Sequence, residues 1–525
     1  MSGNSPTKSR FFVTTPIYYV NDQPHIGHAY TTLAADVTAR FHRLGGCDVF
    51  FLTGTDEHGQ KVAQSAAAAG VTPQQFTDRV SENFHALTKL MNFSNDDFIR
   101  TTEPRNVTAA QALWRAMAEA NAPDGQPAIY LGSYSGWYAV RDEAFYDEAE
   151  LKDGLDGAKI APSGAPVAWV EEPSYFFRLS AYGDALLAFY EENPGFIAPS
   201  SRRNEVVSFV KGGLRDLSIS RTSFSWGVPV PGDEKHVMYV WLDALVNYIA
   251  ALGYPETSEG SPYARFWPAD LHLVGKDILR FHAVYWPAFL MAAKLLLPKR
   301  VFAHGWWTIE GQKMSKSLGN VIAPSQLVKT YGLDQIRYVL LAEVPFGNDG
   351  DFSHEAAIRR INADLANGIG NLAQRTLTLI QKNCGATIPS AGELTEQDRS
   401  LLADADALCA DVEGHLGRQQ FHDALRAIWG VIGAADVYID ANAPWALKKT
   451  DPARMGTVLY VLAETLRTIG IVLQPFMPDV MVRLLDQLGV ASEQRNFAAL
   501  GEAGRLAPGV PVPPPQGLFP RIVAE

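Results

Sequence analysis

The chain has 525 residues, 47% of them apolar and 19% charged, too long for a single hydrophobic core and of ordinary globular composition. A net charge of −12 argues against binding nucleic acid over the whole surface without excluding local basic sites. Three dispersed cysteines, Cys47, Cys384 and Cys409, offer neither a disulfide framework nor a cysteine zinc site and fit a reducing cytoplasm.

The polar start MSGNSPTKSR has no apolar run behind it, so no secretory leader is expected. FFVTTPI (11–17) and DVFFLTG (48–54) read as strands. Between them Ile26, Tyr30, Leu33, Val37, Phe41 and Leu44 step by three or four along one helix face, and Gly45-Gly46 closes that helix. Two apolar strands joined by a helix predict a parallel sheet with a right-handed crossover. Thr72-Pro73-Gln74-Gln75 has the form of a capping box leading Phe76, Val80, Phe84 and Leu87 along a second helix. From about 122 to 225 the chain turns rich in Gly, Pro, Tyr and Trp with short β-like runs. This stretch reads as a small mixed α/β domain inserted into the fold, with Trp137, Tyr138, Phe145 and Tyr146 packed against Trp169.

The parallel-sheet texture resumes with HVMYVW (236–241), LHLVG (271–275) and VFAHGW (301–306). The most apolar helical stretch, PAFLMAAKLLLP near 287–298, is too short to span a bilayer and reads as a buried helix, so no membrane is expected. Beyond about 355 the pattern is helical to about 500, and the proline-rich PGVPVPPPQGLFP is expected to be extended. The fold class expected is α/β. A Rossmann-like parallel-sheet domain (1–121 and 226–306) is interrupted by the insert (122–225). A linker domain (307–357), an α-helical bundle (358–510) and a tail (511–525) follow.

Two segments carry chemistry. In PIYYVNDQPHIGHAY (16–30), His25 and His28 fall where a strand turns into a helix, at the sheet edge where open α/β folds bind ligands. Helix-start N–H groups favour an anion, most obviously phosphate; Gly27 removes a side chain from the approach, and both rings can reach one group. Capping histidines at an ordinary helix start are the other reading. In EGQKMSKSLGNV (310–321), Lys313 and Lys316 suit a loop that closes on a polyphosphate, and residues 299–320 carry four cations and one acid. A solvated basic loop is the alternative there. Asp56, in TGTDEHG, ends the second strand, where its carboxylate suits a substrate ammonium or, alternatively, a helix N-cap.

HIGH at 25–28 and KMSKS at 313–317 together resemble the signature pair of class I aminoacyl-tRNA synthetases. The text between them resembles the methionyl-tRNA synthetases over most of residues 11–480: VTTPIYYVNDQPHIGHAYTTLAADV, FLTGTDEHGQKV, DLSISRTSFSWGVPVPGD, YVWLDALVNYIAALGYP, LVGKDILRFHAVYWPAFL and HGWWTIEGQKMSKSLGN. The insert is too small for the editing domain of the isoleucyl, valyl and leucyl enzymes.

The resemblance implies activation of methionine by ATP to methionyl-adenylate and pyrophosphate, then transfer to the 3′-terminal adenosine of methionine tRNA, initiator and elongator alike. It makes His25, His28, Lys313 and Lys316 catalytic. Gly27, Gly275, Lys276, Asp277, His304, Gly305, Trp306, Met314, Ser315 and Ser317 join them in ATP binding. Methionine falls to Ile17, Tyr19, Asp56, Trp241, Ala244, Leu245, Tyr248, Ile278 and His282; Arg221 belongs to the site with a less definite role. Without the resemblance, Trp241 and Tyr248 read equally well as core. Asn371, Arg375 and Trp445 match residues that read the anticodon, in a region where 355–382 holds four cations and two acids.

Magnesium is expected with ATP. No structural zinc is expected, since Ala139 and Asp142 stand where some relatives have a cysteine knuckle. The chain also stops without the extra C-terminal domain that makes some relatives dimers, so a cytoplasmic monomer is expected. A different HxGH nucleotidyltransferase is a competing reading, as is a synthetase paralogue kept as a tRNA-binding module. The helical domain opposes the first; intact HIGH, KMSKS and Asp56 oppose the second.

Overall fold

The structure is a computed structural model that describes residues 9–20, 23–142, 144–154, 157–313 and 321–523, without the side chains of residues 134, 145 and 313. The expectations for Met314, Ser315, Lys316 and Ser317 lie outside the described residues, as does that for the side chain of Lys313. The chain divides into two compact units: residues 10–24 with 50–304, and residues 1–9 with 25–49 and 305–525.

The first unit holds a seven-stranded sheet. Its order is Ile197–Ala198, Val301–His304, Leu271–Gly275, Arg10–Thr14, Asp48–Asp56 and Tyr18–Tyr19, with Asp97–Arg100 also paired to Asp48–Asp56. Parallel register is set by pairs such as Val13↔Leu271, Gly275↔His304, Tyr19↔Asp56 and Gly54↔Ile99. Phe12, Val13, Phe51, Leu52, Leu273 and Val274 are buried, as strands covered on both faces require. HVMYVW does not join this sheet: Asp233–Met238 pairs antiparallel with Ser220–Arg221 and Pro229–Val230, and the helix Val240–Ala250 takes over from residue 240. The opening strand is shorter than the 11–17 expected. It stops at Thr14 because Pro16 has no N–H for the ladder; the Thr15 N–H donates to the Leu52 carbonyl (3.0 Å), and pairing restarts at Tyr18.

The insert belongs to this same unit. Strands Ile129–Ala139 and Ala168–Phe177 pair antiparallel from Ile129↔Phe177 to Tyr138↔Ala168, flanked by Ala144–Tyr146 and Leu217–Ser218. Trp137 meets Trp169 edge-on at 5.5 Å, but Trp169 is 57% exposed, so it is not the centre of a core. Instead Tyr146 packs on a cluster of Ala139, Ala161 and Ala165, small residues that let the chain close tightly there. The Tyr138 ring lies 5.8 Å from the Arg221 guanidinium. Near 287–298 the helix is only Trp286–Ala292; it is buried, and Phe289 meets Phe177 of the insert at 5.0 Å.

The second unit starts with the helix Ile26–Leu44. It is buried well beyond the one apolar face its spacing suggests: Thr31, Thr32 and Thr38 are inside too, each hydroxyl donating to the carbonyl four residues back. Asp36 on this helix takes 2.7 Å and 2.8 Å hydrogen bonds from Arg337 and Arg40. Arg337, fully buried, also donates to the carbonyls of Phe476 and Pro475 at 2.9 Å, joining the opening helix, the helix Leu333–Ala342 and the end of Pro452–Leu473.

Helices Glu396–Leu416, Phe421–Asn442, Pro452–Leu473 and Pro478–Gln487 build the bundle. Pro452–Leu473 is long and apolar enough to cross a membrane, yet almost wholly buried in its unit. It also carries the buried pair Glu464–Arg467 (2.6 Å). The proline-rich tail lies along the bundle. Ile388 exchanges backbone hydrogen bonds with Gly509 and Val510, and the Asn362 carboxamide brackets the Ile522 backbone with two 2.8 Å bonds.

Candidate functional site

In the first unit the chemistry collects at the carboxyl ends of the parallel strands. Asp56 is the last residue of Asp48–Asp56, 8% exposed, its carbonyl accepting from Val20 N–H at 3.1 Å. The capping alternative fails, because the next helix, Gln60–Ala68, is capped at Gly59. Glu57, fully buried, receives Arg100 in a two-pronged bond (2.7 and 2.9 Å) with the hydroxyls of Thr55 and Thr102, so the turn carrying Asp56 is firmly held.

Opposite the strand ends runs the helix Val240–Ala250 with Trp241, Ala244, Leu245 and Tyr248. The Tyr248 hydroxyl lies 2.7 Å from His282 Nε2, and His282 Nδ1 is 3.0 Å from the Ile278 carbonyl. A carbonyl only accepts, so the imidazole proton sits on Nδ1 and Nε2 takes the phenol proton. Burial pushes the His282 pKa down to about 4 and raises that of Tyr248, keeping both neutral. Trp241 stacks on Phe281 at 3.7 Å and meets His282 edge-on at 6.3 Å. The result is an aromatic wall with one neutral hydroxyl–imidazole pair, suited to a polarizable, uncharged group. Ile17 packs against the same core, and Tyr19, paired in register with Asp56, has the Lys61 ammonium 5.7 Å from its ring. Phe281 was not singled out in the sequence, although its i−1 position beside His282 was available; neither was His272, whose Nδ1 meets the Thr14 hydroxyl at 2.6 Å and whose ring lies 4.3 Å from Tyr248.

Gly275 ends its strand beside His304, and a Cβ there would sit 2.5 Å from Asp277 Oδ1, so glycine leaves room for the Asp277 carboxylate in this rotamer. Asp277 is exposed and His304 buried. Arg221 is 3% exposed; it donates to Ser218 Oγ (2.8 Å) and the Ser220 carbonyl (2.6 Å) and lies 4.7 Å over Tyr239, which precedes the Trp241 helix. It therefore braces the pocket helix.

In the second unit the histidine pair forms the cap of its helix, the alternative set beside phosphate binding. His25 is the N-cap: its Nδ1 accepts from Gly27 N–H, and His28 Nδ1 accepts from His25 N–H, both at 3.1 Å. Because both Nδ1 atoms accept, each neutral ring is protonated at Nε2, and the cap itself turns two stacked rings (3.8 Å apart) into a pair of donors. Burial, then the repulsion that two protonated rings in contact would feel, lowers the His28 pKa well below 6.5. The role of Gly27 is also sharper than expected: a Cβ there would come within 3.0 Å of the His25 ring that makes the cap. The Ile26 N–H donates to the Ile322 carbonyl at 3.2 Å, tethering this helix start to the chain just after the lysine motif. Gly305 passes so close to Asn348 that a Cβ would lie 2.2 Å from its carbonyl oxygen, and Trp306, 43% exposed, donates its N–H to Asp349 at 2.8 Å.

On the bundle, Arg375 and Trp445 come together: the guanidinium lies 5.4 Å from the ring and donates to Asp440 at 2.6 Å. Trp445 is 49% exposed, on a short helix entered through the left-handed Ala443, and Asn371 is exposed one turn before Arg375. These three form an exposed aromatic–cation–amide patch. Among the described residues no group of three or more His, Cys, Asp or Glu is placed to hold a metal, and the Asp142 carboxylate is engaged by the hydroxyls of Tyr146 and Ser163.

Comparison with known proteins identifies the family. A family model described as tRNA synthetases class I (M) matches residues 11–377, and one described as the anticodon binding domain of methionyl tRNA ligase matches residues 388–525. The methionine–tRNA ligase of Brucella suis is 57% identical over 517 residues, covering 98% of this chain and 99% of its own; that of Mycobacterium bovis is 53% identical over 516 residues, covering 97% and 98%. Among solved structures, Mycobacterium tuberculosis methionyl-tRNA synthetase in complex with methionyl-adenylate superposes with a TM-score of 0.94 at 53% identity, covering 98% of this chain and 100% of that one.

Proposed function

The chain belongs to the methionyl-tRNA synthetases of class I, and from that premise we propose how its residues divide the work of activating L-methionine with ATP and charging methionine tRNA. The observation that carries the proposal is the pairing of a buried terminal carboxylate, Asp56, with a neutral Tyr248–His282 pocket walled by Trp241 and Phe281. Asp56 takes the methionine ammonium. The pocket takes the thioether, where sulfur at an aromatic edge gains about 0.3–1.5 kcal/mol beyond burial.

The methionine carboxylate attacks the α-phosphorus of ATP in line, forming a C–O–P bond and releasing pyrophosphate. Charge builds on phosphate oxygens, and His25 and His28 donate to them from Nε2. A donor of this kind contributes about 2.7–4 kcal/mol to the transition state. Lys313 and Lys316 hold the outer phosphates, and Gly275, Lys276, Asp277, His304, Gly305 and Trp306 bind the nucleoside. Magnesium arrives on the ATP phosphates, as part of the substrate. In the second step the 2′-hydroxyl of the tRNA terminal adenosine attacks the adenylate carbonyl and AMP leaves. Asn371, Arg375 and Trp445 read the anticodon of initiator and elongator methionine tRNAs by stacking and edge hydrogen bonds. The three cysteines are unpaired, which supports a reducing, cytoplasmic setting.

The test is pyrophosphate exchange into ATP with each amino acid singly. Exchange with methionine alone is expected, and exchange that requires another amino acid, or none at all, contradicts the reading. We propose further that the insert holds no structural zinc, its apolar Ala139–Ala161–Ala165 cluster supporting this. Elemental analysis is expected to find zinc far below one equivalent, and a stoichiometric amount would refute it.

A further inference from the structure

The turn that carries Asp56 and the helix that carries the pocket are joined by a buried couple no motif pointed to. His58 Nδ1 lies 2.6 Å from Asp243 Oδ2, and Asp243 Oδ1 accepts from Asn106 Nδ2 at 2.8 Å. His58, Asp243 and Asn106 are 6%, 1% and 0% exposed and come from three separate elements: the turn after Asp48–Asp56, the helix Val240–Ala250 and the helix Pro104–Ala118. Asp243 stands two residues after Trp241 and immediately before Ala244. His58 stands two residues after Asp56, its ring edge-on to Trp226 at 5.2 Å, and the Trp226 indole donates to the Glu57 carbonyl at 2.7 Å.

Resting on the reading of Asp56 as the ammonium site and Trp241, Tyr248 and His282 as the side-chain pocket, we propose that the His58–Asp243–Asn106 couple fixes the distance between those two sites and so sets the side-chain length the enzyme accepts. An amino acid is gripped at two ends, and a pocket discriminates length only if the two grips do not drift apart. One methylene in an apolar pocket is discriminated by about 10–200-fold, a margin that a slack of about 1 Å erodes. Each grip is anchored separately on its own side. Glu57 and Arg100 hold the turn, while Tyr239 N–H bonds the Ile219 carbonyl (2.8 Å) and Arg221 covers Tyr239 at the helix start. The couple is a direct, buried side-chain hydrogen bond between the Asp56 turn and the pocket helix, so its loss loosens their spacing while leaving both elements folded. His58, Asp243 and Asn106 act through Asp56 and the pocket as positioning residues.

The experiment compares wild type with His58→Phe, Asn106→Ser, Asp243→Ala and Asp243→Asn in methionine-dependent pyrophosphate exchange. Substrates are methionine, ethionine (one methylene longer), S-methylcysteine (sulfur one bond nearer the α-carbon) and norleucine (same length, no sulfur). His58→Phe, which keeps a ring but has no donor, and Asp243→Ala are expected to raise the methionine KM and to lower the methionine preference over ethionine and S-methylcysteine by about tenfold, the size of the methylene margin. The KM for ATP and the methionine-to-norleucine ratio stay near wild type. Asp243→Asn, whose one acceptor oxygen serves the histidine but not Asn106 as well, keeps part of the length discrimination, as does Asn106→Ser. Unchanged length preference in folded His58→Phe and Asn106→Ser, or equal loss toward all four amino acids, overturns the ruler. A wild-type enzyme whose exchange needs another amino acid instead overturns the function reading beneath it, and the ruler with it.

Discussion

At the scale of single residues, protonation state decides what the site can do. His25 and His28 become donors at Nε2 because two backbone N–H groups occupy their Nδ1 atoms, and His282 becomes an acceptor at Nε2 because a carbonyl fixes its proton on Nδ1. Accepting a hydrogen bond at any of these nitrogens requires an uncharged ring. Burial brings His282 from its ordinary 6.5 down to about 4, and lowers His28 and His272 well below the same value. The sign follows: with folded pKa values depressed, the unfolded chain binds protons that the folded one refuses. Stability is therefore complete above about pH 6.5 and falls as the pH drops toward about 4, by up to ~1.4 kcal/mol per pH unit for each such histidine. Denaturant titrations between about pH 7.5 and about pH 4.5 should show this decline, with a shallower slope for His282→Gln; an unchanged slope would mean that His282 is not held neutral by the fold.

Among the elements, the opening helix Ile26–Leu44 does two jobs: its first turn presents the histidines, and its middle locks onto Arg337 through Asp36. Both side chains of that pair are fully buried, so removing one strands the other away from water, at a cost of about 3–5 kcal/mol. Arg337→Met is expected to lower the melting temperature by several degrees, and Asp36→Asn with Arg337→Met together to cost less than the two singly added. Additive losses would show that the pair is not coupled. The sequence made this helix legible by its spacing, but not its depth of burial, because Thr31, Thr32 and Asp36 look like a solvated face until their partners are known. Asp56 and the aromatic pocket were found through motif text, whereas His58, Asp243 and Asn106 were not. They are 48 to 185 residues apart, and pairing over such separations leaves no local period to read. The insert was legible as a change of texture, but its cluster of Ala139, Ala161 and Ala165 was not, because three small residues spread along a loop-rich stretch make no period.

On the scale of the whole molecule, the two units hold complementary equipment. One carries the Asp56 carboxylate and the neutral Tyr248–His282 pair; the other carries the His25–His28 cap and the bundle with its Arg375–Trp445 pair. Membership of the methionyl-tRNA synthetases makes them parts of one two-step reaction, and charging tests both steps together. The direct measurement is attachment of radiolabelled methionine to methionine tRNA, beside the same tRNA with its CAU anticodon exchanged for another. The account predicts ATP-dependent charging of the first, abolished when the terminal ribose is oxidised by periodate, and charging of the second reduced by at least about tenfold, since each stacked base contributes about 1–3 kcal/mol. Equal charging of both tRNAs, or no methionine on either, would contradict it.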